Sequence, residues 1–159
     1  MKDVKSEIRN PKSENDPRFT IYSDGGSRGN PGPAACGVVI FNGDKEIKRL
    51  NKTIGNTTNN QAEYQALEMG LNWIKLNCYA DIALCDEGSK ISCKLDSELV
   101  VKQLNGEYKI KNVELKPWFA KIRNLVIELG GGVTFSHIRR EQNKIADMLV
   151  NEALDREQA

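Results

Sequence analysis

Four acidic residues break the apolar pattern of the segments that hold them: Asp24, Glu63, Asp96 and Asp147. A chain places a carboxylate on an apolar face only where something compensates its lost hydration. Glu63 shares a helical stripe with Ala66, Leu67, Gly70 and Leu71, so its side chain is expected to point toward a core. Asp147 sits between Ile145-Ala146 and Met148-Leu149-Val150, and is expected to face inward or to lie at the core's edge. Asp24 and Asp96 each close a predicted strand, followed by Gly25-Gly26 and by Ser97. Strand ends are where α/β folds carry chemistry.

Four converging carboxylates with no histidine or cysteine among them call for hard cations. Oxygen-only ligation suits Mg²⁺ or Mn²⁺, and two such ions ~3.5–4 Å apart form a clamp for in-line displacement at phosphorus. One would activate water; the other would stabilise a leaving 3′ oxygen. Taken singly, each acid has a plainer reading. Asp24 before Gly-Gly is a good turn former, and Asp96 before Ser97 a good helix cap. All four together are hard to explain that way.

The elements that must position them follow from periodicity and turn chemistry. A strand starts at Arg18 and stops at Ser23-Asp24-Gly25-Gly26; strands at Ala34 to Phe41 and Lys45 to Thr53 flank Asn42-Gly43, a tight-hairpin signal. Thr57 to Leu76 reads as a helix with Thr58 as its cap, and Asn77 to Lys90 as an enlarged irregular loop. Then come a strand at Ile91 to Leu95, helices at Ser97 to Leu104 and Val113 to Leu129, a strand at Val133 to His137, and a helix from Glu141 to Asp155. The order β-β-β-α-β-α-α-β-α predicts an α/β fold with a mixed sheet covered by helices. If the strands ending at Asp24 and Asp96 are adjacent and parallel, both acids emerge together, with the two helical acids leaning over them.

The chain of 159 residues fits one domain over 18–156, preceded by a polar, charge-balanced tail at 1–17 expected to be disordered. With 23 Lys+Arg against 22 Asp+Glu the net charge is +1, so binding of a polyanion would rest on local clusters. Cys36, Cys78, Cys85 and Cys93 form no C-x-x-C pair; Cys36 and Cys93 lie in apolar runs and read as small hydrophobes, while a Cys78–Cys85 disulfide is left open. No apolar run is long enough to span a membrane, and a cytoplasmic monomer is expected. Trp73 is expected to pack against the fold; for Trp118, packing and base stacking stay open.

Four motifs carry a resemblance: Tyr22 to Pro33 (YSDGGSRGNPGP), Thr57 to Glu63 (TTNNQAE), Asp96-Ser97-Glu98, and Asn143 to Asp147 (NKIAD). In this order they resemble the type 1 ribonuclease H family, from about Arg18 to Asp155. The resemblance implies a five-stranded mixed sheet, three strands antiparallel and two parallel, flanked by helices. It also implies endonucleolytic cutting of the RNA strand of RNA/DNA hybrids, leaving 5′-phosphate and 3′-hydroxyl ends. The family's metal-binding quartet falls on Asp24, Glu63, Asp96 and Asp147. Substrate contacts are implied for Gly25, Gly26, Ser27, Arg28 and Asn30 in the first motif and Thr58, Asn59, Asn60 and Gln61 in the second. Side-chain amides suit 2′-hydroxyls, to which they can donate and from which they can accept. Gly25 to Gly32 would let backbone approach a minor groove closely. The single histidine, His137, matches a helper in proton transfer or product release, a role that Arg140 takes in shorter relatives.

Two departures stand beside the resemblance. Gly106 to Asn112 offers only Lys109 and Lys111 where larger members carry a basic protrusion, and no separate hybrid-binding module is evident. The alternatives are a DNA nuclease of the same architecture, which would lack the ribose-sensing runs, and a non-catalytic hybrid-binding module, which would be expected to have lost an acid.

Overall fold

The computed structural model describes residues 16–84 and 90–158. The expected tail, apart from its last two residues, and Cys85 with its suggested disulfide lie outside them. Five strands, β1 (Phe19–Ser27), β2 (Gly32–Asn42), β3 (Lys45–Thr57), β4 (Ile91–Leu95) and β5 (Val133–His137), form one sheet in the order β3-β2-β1-β4-β5. The first three are antiparallel; β4 runs parallel to β1 and β5 parallel to β4. The helices are α1 (Asn59–Ala83), α2 (Glu98–Leu104), α3 (Lys116–Glu128) and α4 (Lys144–Gln158), with a 3₁₀ turn at Arg140–Gln142. This is the mixed α/β architecture expected from the sequence.

Alternation along the strands assigns the two faces. Ile21, Cys36, Val38 and Ile40 join Leu67, Leu71 and Ile74 of α1 in the main core, and Ile122 of α3 closes it. Ala35 faces the opposite way and meets Val150, Ala153 and Leu154 of α4. Gly37 lets α4 lie flat on that face: a Cβ there would sit 2.3 Å from the Ala146 carbonyl oxygen.

Several boundaries moved, for local reasons. β1 runs through the glycines to Ser27, because Asp24, Gly25 and Gly26 pair with Gly37, Cys36 and Ala35 of β2. Asp24 therefore ends only the parallel pairing with β4, whose last pair is Ser23 with Leu95. The hairpin loop is Gly43-Asp44, since Asn42 pairs with Lys45. β3 continues to Thr57 past a register shift opposite Ala34 and Ala35, next to Gly55 with φ 79°.

The loop expected from Asn77 begins as helix instead. Ile74, Cys78 and Ile82 continue the buried stripe at i, i+4 and i+8, so packing carries α1 to Ala83 across a bend at Cys78 (φ −128°, ψ 15°). α3 starts at Lys116 rather than Val113, because Asn112 Oδ1 accepts from the Glu114 N–H and turns the chain first. Its Pro117 lies in the first turn, where a missing N–H costs nothing. Trp73 and Trp118 are half-buried against the core, as packing residues are, and Lys121 Nζ sits 4.3 Å from the centre of the Trp118 ring.

Candidate active site

The register puts Asp24 and Asp96 level with each other, one residue beyond the last parallel pair, on the α4 face of the sheet. Ser97 caps α2 through its hydroxyl, accepting from the Val100 N–H at 3.3 Å, which leaves the Asp96 carboxylate free for the site. Glu63 arrives from the other face. α1 presses so closely on β1 that a Cβ on Gly25 would fall 2.1–2.4 Å from the backbone of Ala62 and Glu63. The absent side chain at Gly25 thus serves contact with α1, not approach of a groove alone. Across the gap the Gly25 N–H donates to Glu63 Oε1 at 3.1 Å.

Carboxylate oxygens of Asp24, Glu63 and Asp96 lie within 4.8 Å of one another. Glu63 is 5 % exposed and Asp24 8 %, and Glu63 Oε2 is buried with no protein partner. Burial pushes the Asp24 carboxyl up to about 6; Asp96 and Asp147 push the same way, against a hydrogen bond with Glu63 and the charge of Arg140. Burial also raises Glu63 well above the usual carboxylate range, with the Asp24 charge adding to it. An oxygen-only cluster holding a partnerless carboxylate oxygen and acids that resist ionisation fits a divalent cation, whose charge would offset both effects.

Asp147 lines the same cleft, of about 350 Å³, and is exposed: of the two positions expected for it, it takes the one at the core's edge. The buried stripe of α4 is Ala146, Leu149, Val150, Ala153 and Leu154, and Asp147 falls beside it.

Of the expected substrate contacts, Gly25, Gly26, Ser27, Arg28, Asn59 and Asn60 line the cleft. Asn59 Oδ1 accepts from the Ser27 N–H at 2.8 Å and the Ser27 hydroxyl at 3.1 Å, while Asn30 Oδ1 accepts from the Asn59 N–H at 2.9 Å. With these oxygens engaged, the hydrogen-bonding capacity left to the Asn30 and Asn59 side chains is chiefly that of their NH₂ groups. Thr58 caps α1, its hydroxyl accepting from the Gln61 N–H, and the Gln61 side chain donates to Glu114 at 2.8 Å. Arg140 is in the cleft wall. His137 is exposed at the end of β5, where it lies on the Glu98 side; Lys102 foremost, and His137 to a smaller extent, hold the Glu98 carboxyl below its usual value.

Sequence reasoning passed over two features. Arg28 is held by α4, donating to Asp155 at 2.7 Å and Asn151 at 3.4 Å, a pairing across more than 120 residues that no local pattern announces. Asn143 is 1 % exposed and donates to Asp96, although its position before an apolar run signals only a helix cap.

The family described as reverse transcriptase-like matches residues 22–153. Ribonuclease HI of Halobacterium salinarum is 41% identical over 139 residues, 87% of this chain and 65% of that protein. Bifunctional protein Rv2228c of Mycobacterium tuberculosis is 34% identical over 140 residues, 87% of this chain and 36% of that protein. The chain thus spans less than two thirds of either relative. Among solved structures, LC11-RNase H1 from compost, in complex with an RNA/DNA hybrid, superposes with a TM-score of 0.80 at 42% identity, covering 89% of this chain and 99% of that one. RNase H1 of Halobacterium salinarum gives 0.76 at 39%, covering 87% and 98%. A foamy virus protease-reverse transcriptase, at 18% identity and a TM-score of 0.66, shares the fold.

Proposed function

Because the chain belongs to the type 1 ribonuclease H family, we propose that it hydrolyses the RNA strand of RNA/DNA hybrids endonucleolytically, with two Mg²⁺ or Mn²⁺ ions held by Asp24, Glu63, Asp96 and Asp147. The observation that carries the reading is the meeting of oxygens from three carboxylates within 4.8 Å of one another, with one oxygen of Glu63 buried and partnerless. When bound, such ions supply an activated water and charge stabilisation at the leaving oxygen.

The chain's own groups do the rest. The sheet and α1 pre-assemble three acids whose repulsion is already met in folding, so little reorganisation is left for the reaction. In this reading the side-chain amides of Asn30, Asn59 and Asn60 and the backbone around Gly26 and Ser27 meet the 2′-hydroxyls, and a site built for a hydroxyl rejects the deoxy strand by leaving its own donors unpaired. Arg140, the cation beside Asp24, is suited to a phosphate oxygen or a departing product.

Labelled RNA/DNA hybrid, single-stranded RNA, duplex RNA and duplex DNA, each with Mg²⁺, Mn²⁺ or EDTA, test this directly. Metal-dependent cutting of the hybrid's RNA is the expected result. Cutting of DNA alone would favour a DNA nuclease, and retention of hybrid without cutting a binding module. Within the same assay Arg140→Ala should slow turnover by about a hundredfold to a thousandfold, the range for one lost electrostatic contact to a transition state. His137→Ala, on the Glu98 side, should cost less. A larger loss from His137→Ala would return the helper role to the histidine.

A further inference from the structure

Asn143 precedes α4, and its carbonyl accepts the first helical hydrogen bond there, from the Asp147 N–H at 3.1 Å. An asparagine in this place ordinarily turns its side-chain oxygen back to cap the helix. Here it does not. The Nδ2 group reaches across to the sheet, donating to the Ser23 carbonyl at 2.9 Å and to Asp96 Oδ2 at 3.3 Å, while Oδ1 is buried with no protein partner. Both partners of Nδ2 are acceptors, which fixes which end of the amide faces them.

Three of the four acids are tied to this one residue. Ser23 carries the backbone into Asp24, Asp96 is bonded directly, and Asp147 is bonded through its N–H. We propose that Asn143 is a positioning residue that sets the separation of Asp96 from Asp24 and from Asp147, and through it the affinity of the site for divalent cations. A buried group that forgoes its cap and leaves an acceptor unmet is a departure from local consistency of the kind proteins keep at working sites. The Asp96 oxygen that accepts from Nδ2 is also partly neutralised and oriented by it. Partners of this kind behind a ligating carboxylate typically change metal affinity or activity by about 10–100-fold. The inference rests on the metal-dependent reading of the site.

Asn143→Ala and the near-isosteric Asn143→Asp, which replaces the donor with a carboxylate facing Asp96, separate positioning from packing. Calorimetric titration with Mn²⁺ should show affinity reduced roughly tenfold or more in both. Hybrid cleavage should lose kcat at saturating Mn²⁺ with KM for hybrid unchanged, because Asn143 bonds to Ser23 and Asp96 and not to the β1–β2 turn that carries Asn30 or the first turn of α1 that carries Asn59. Wild-type Mn²⁺ affinity and kcat in either folded variant would overturn the proposal. So would failure of both variants to fold, which would make Asn143 a structural residue. A wild-type protein that itself neither binds Mn²⁺ nor cuts hybrid would overturn the functional reading first, and this inference with it.

Discussion

Replacing Asp24 by Asn is expected to lower hybrid cleavage by roughly a thousandfold or more while making the metal-free protein more stable. The loss of activity follows from position: Asp24 is the acid that Glu63, Asp96 and Asp147 all act upon, and an amide neither carries its charge nor matches it as a cation ligand. The gain in stability follows from the sign of the shift. In the folded protein the Asp24 carboxyl is raised from 3.8 to about 6. Its contribution to stability is therefore fully present below about pH 4 and is lost as pH rises through about 6, an effect of about 3 kcal/mol. Glu63 is raised too and adds to the same trend. Thermal melts in EDTA should show wild type falling in Tm between pH 4 and 7. Asp24→Asn should flatten that fall, and Mn²⁺ should restore Tm above pH 6 in wild type far more than in the variant. Unfolding of Asp24→Asn would assign Asp24 to the scaffold, and retained cleavage would remove it from the reaction.

How much of this was legible in the sequence depends on whether the cause is local. Glu63 announces itself because it shares a stripe with Ala66, Leu67 and Leu71, and the helix puts all of them where that stripe predicts. The adjacency of β1 and β4, stated as a condition, holds, and brings Asp24 and Asp96 level. For Asp147 the sequence leaves an inward and a core-edge position open, because apolar neighbours in sequence do not specify a helix face: Ile145 and Met148 lie off the buried stripe with it. The continuation of α1 was hidden by Asn77, Tyr79 and Asp81, polar or exposed residues that surround the Ile74, Cys78, Ile82 stripe. Asn143 and Arg28 act across more than 40 residues, on partners that only the assembled sheet supplies.

The spacing of α1 against β1 is the assembled feature on which the site depends most, and Gly25→Ala should expose it. Each atom that a Cβ would meet, the Ala62 carbonyl carbon and oxygen and the Glu63 nitrogen at 2.1–2.4 Å, is backbone and cannot rotate away. Either the first turn of α1 shifts by about 1 Å or β1 does. Such overpacking costs about 3 kcal/mol, and displacement of a catalytic group by about 1 Å can cost a hundredfold in rate. The Gly25 N–H bond to Glu63 would be broken in the same movement. Denaturant melts and hybrid cleavage of Gly25→Ala should therefore both fall steeply. The neighbouring Gly26→Ala is the matched control for stability: its Cβ would meet only Val150 Cγ1, at an ordinary 3.7 Å. Equal stability of the two variants would show that the close approach of α1 to β1 is not what holds Glu63 in the cluster. A stable Gly26→Ala beside a crippled Gly25→Ala would place the origin of the site's geometry in the β1 position where α1 leaves no room for a side chain.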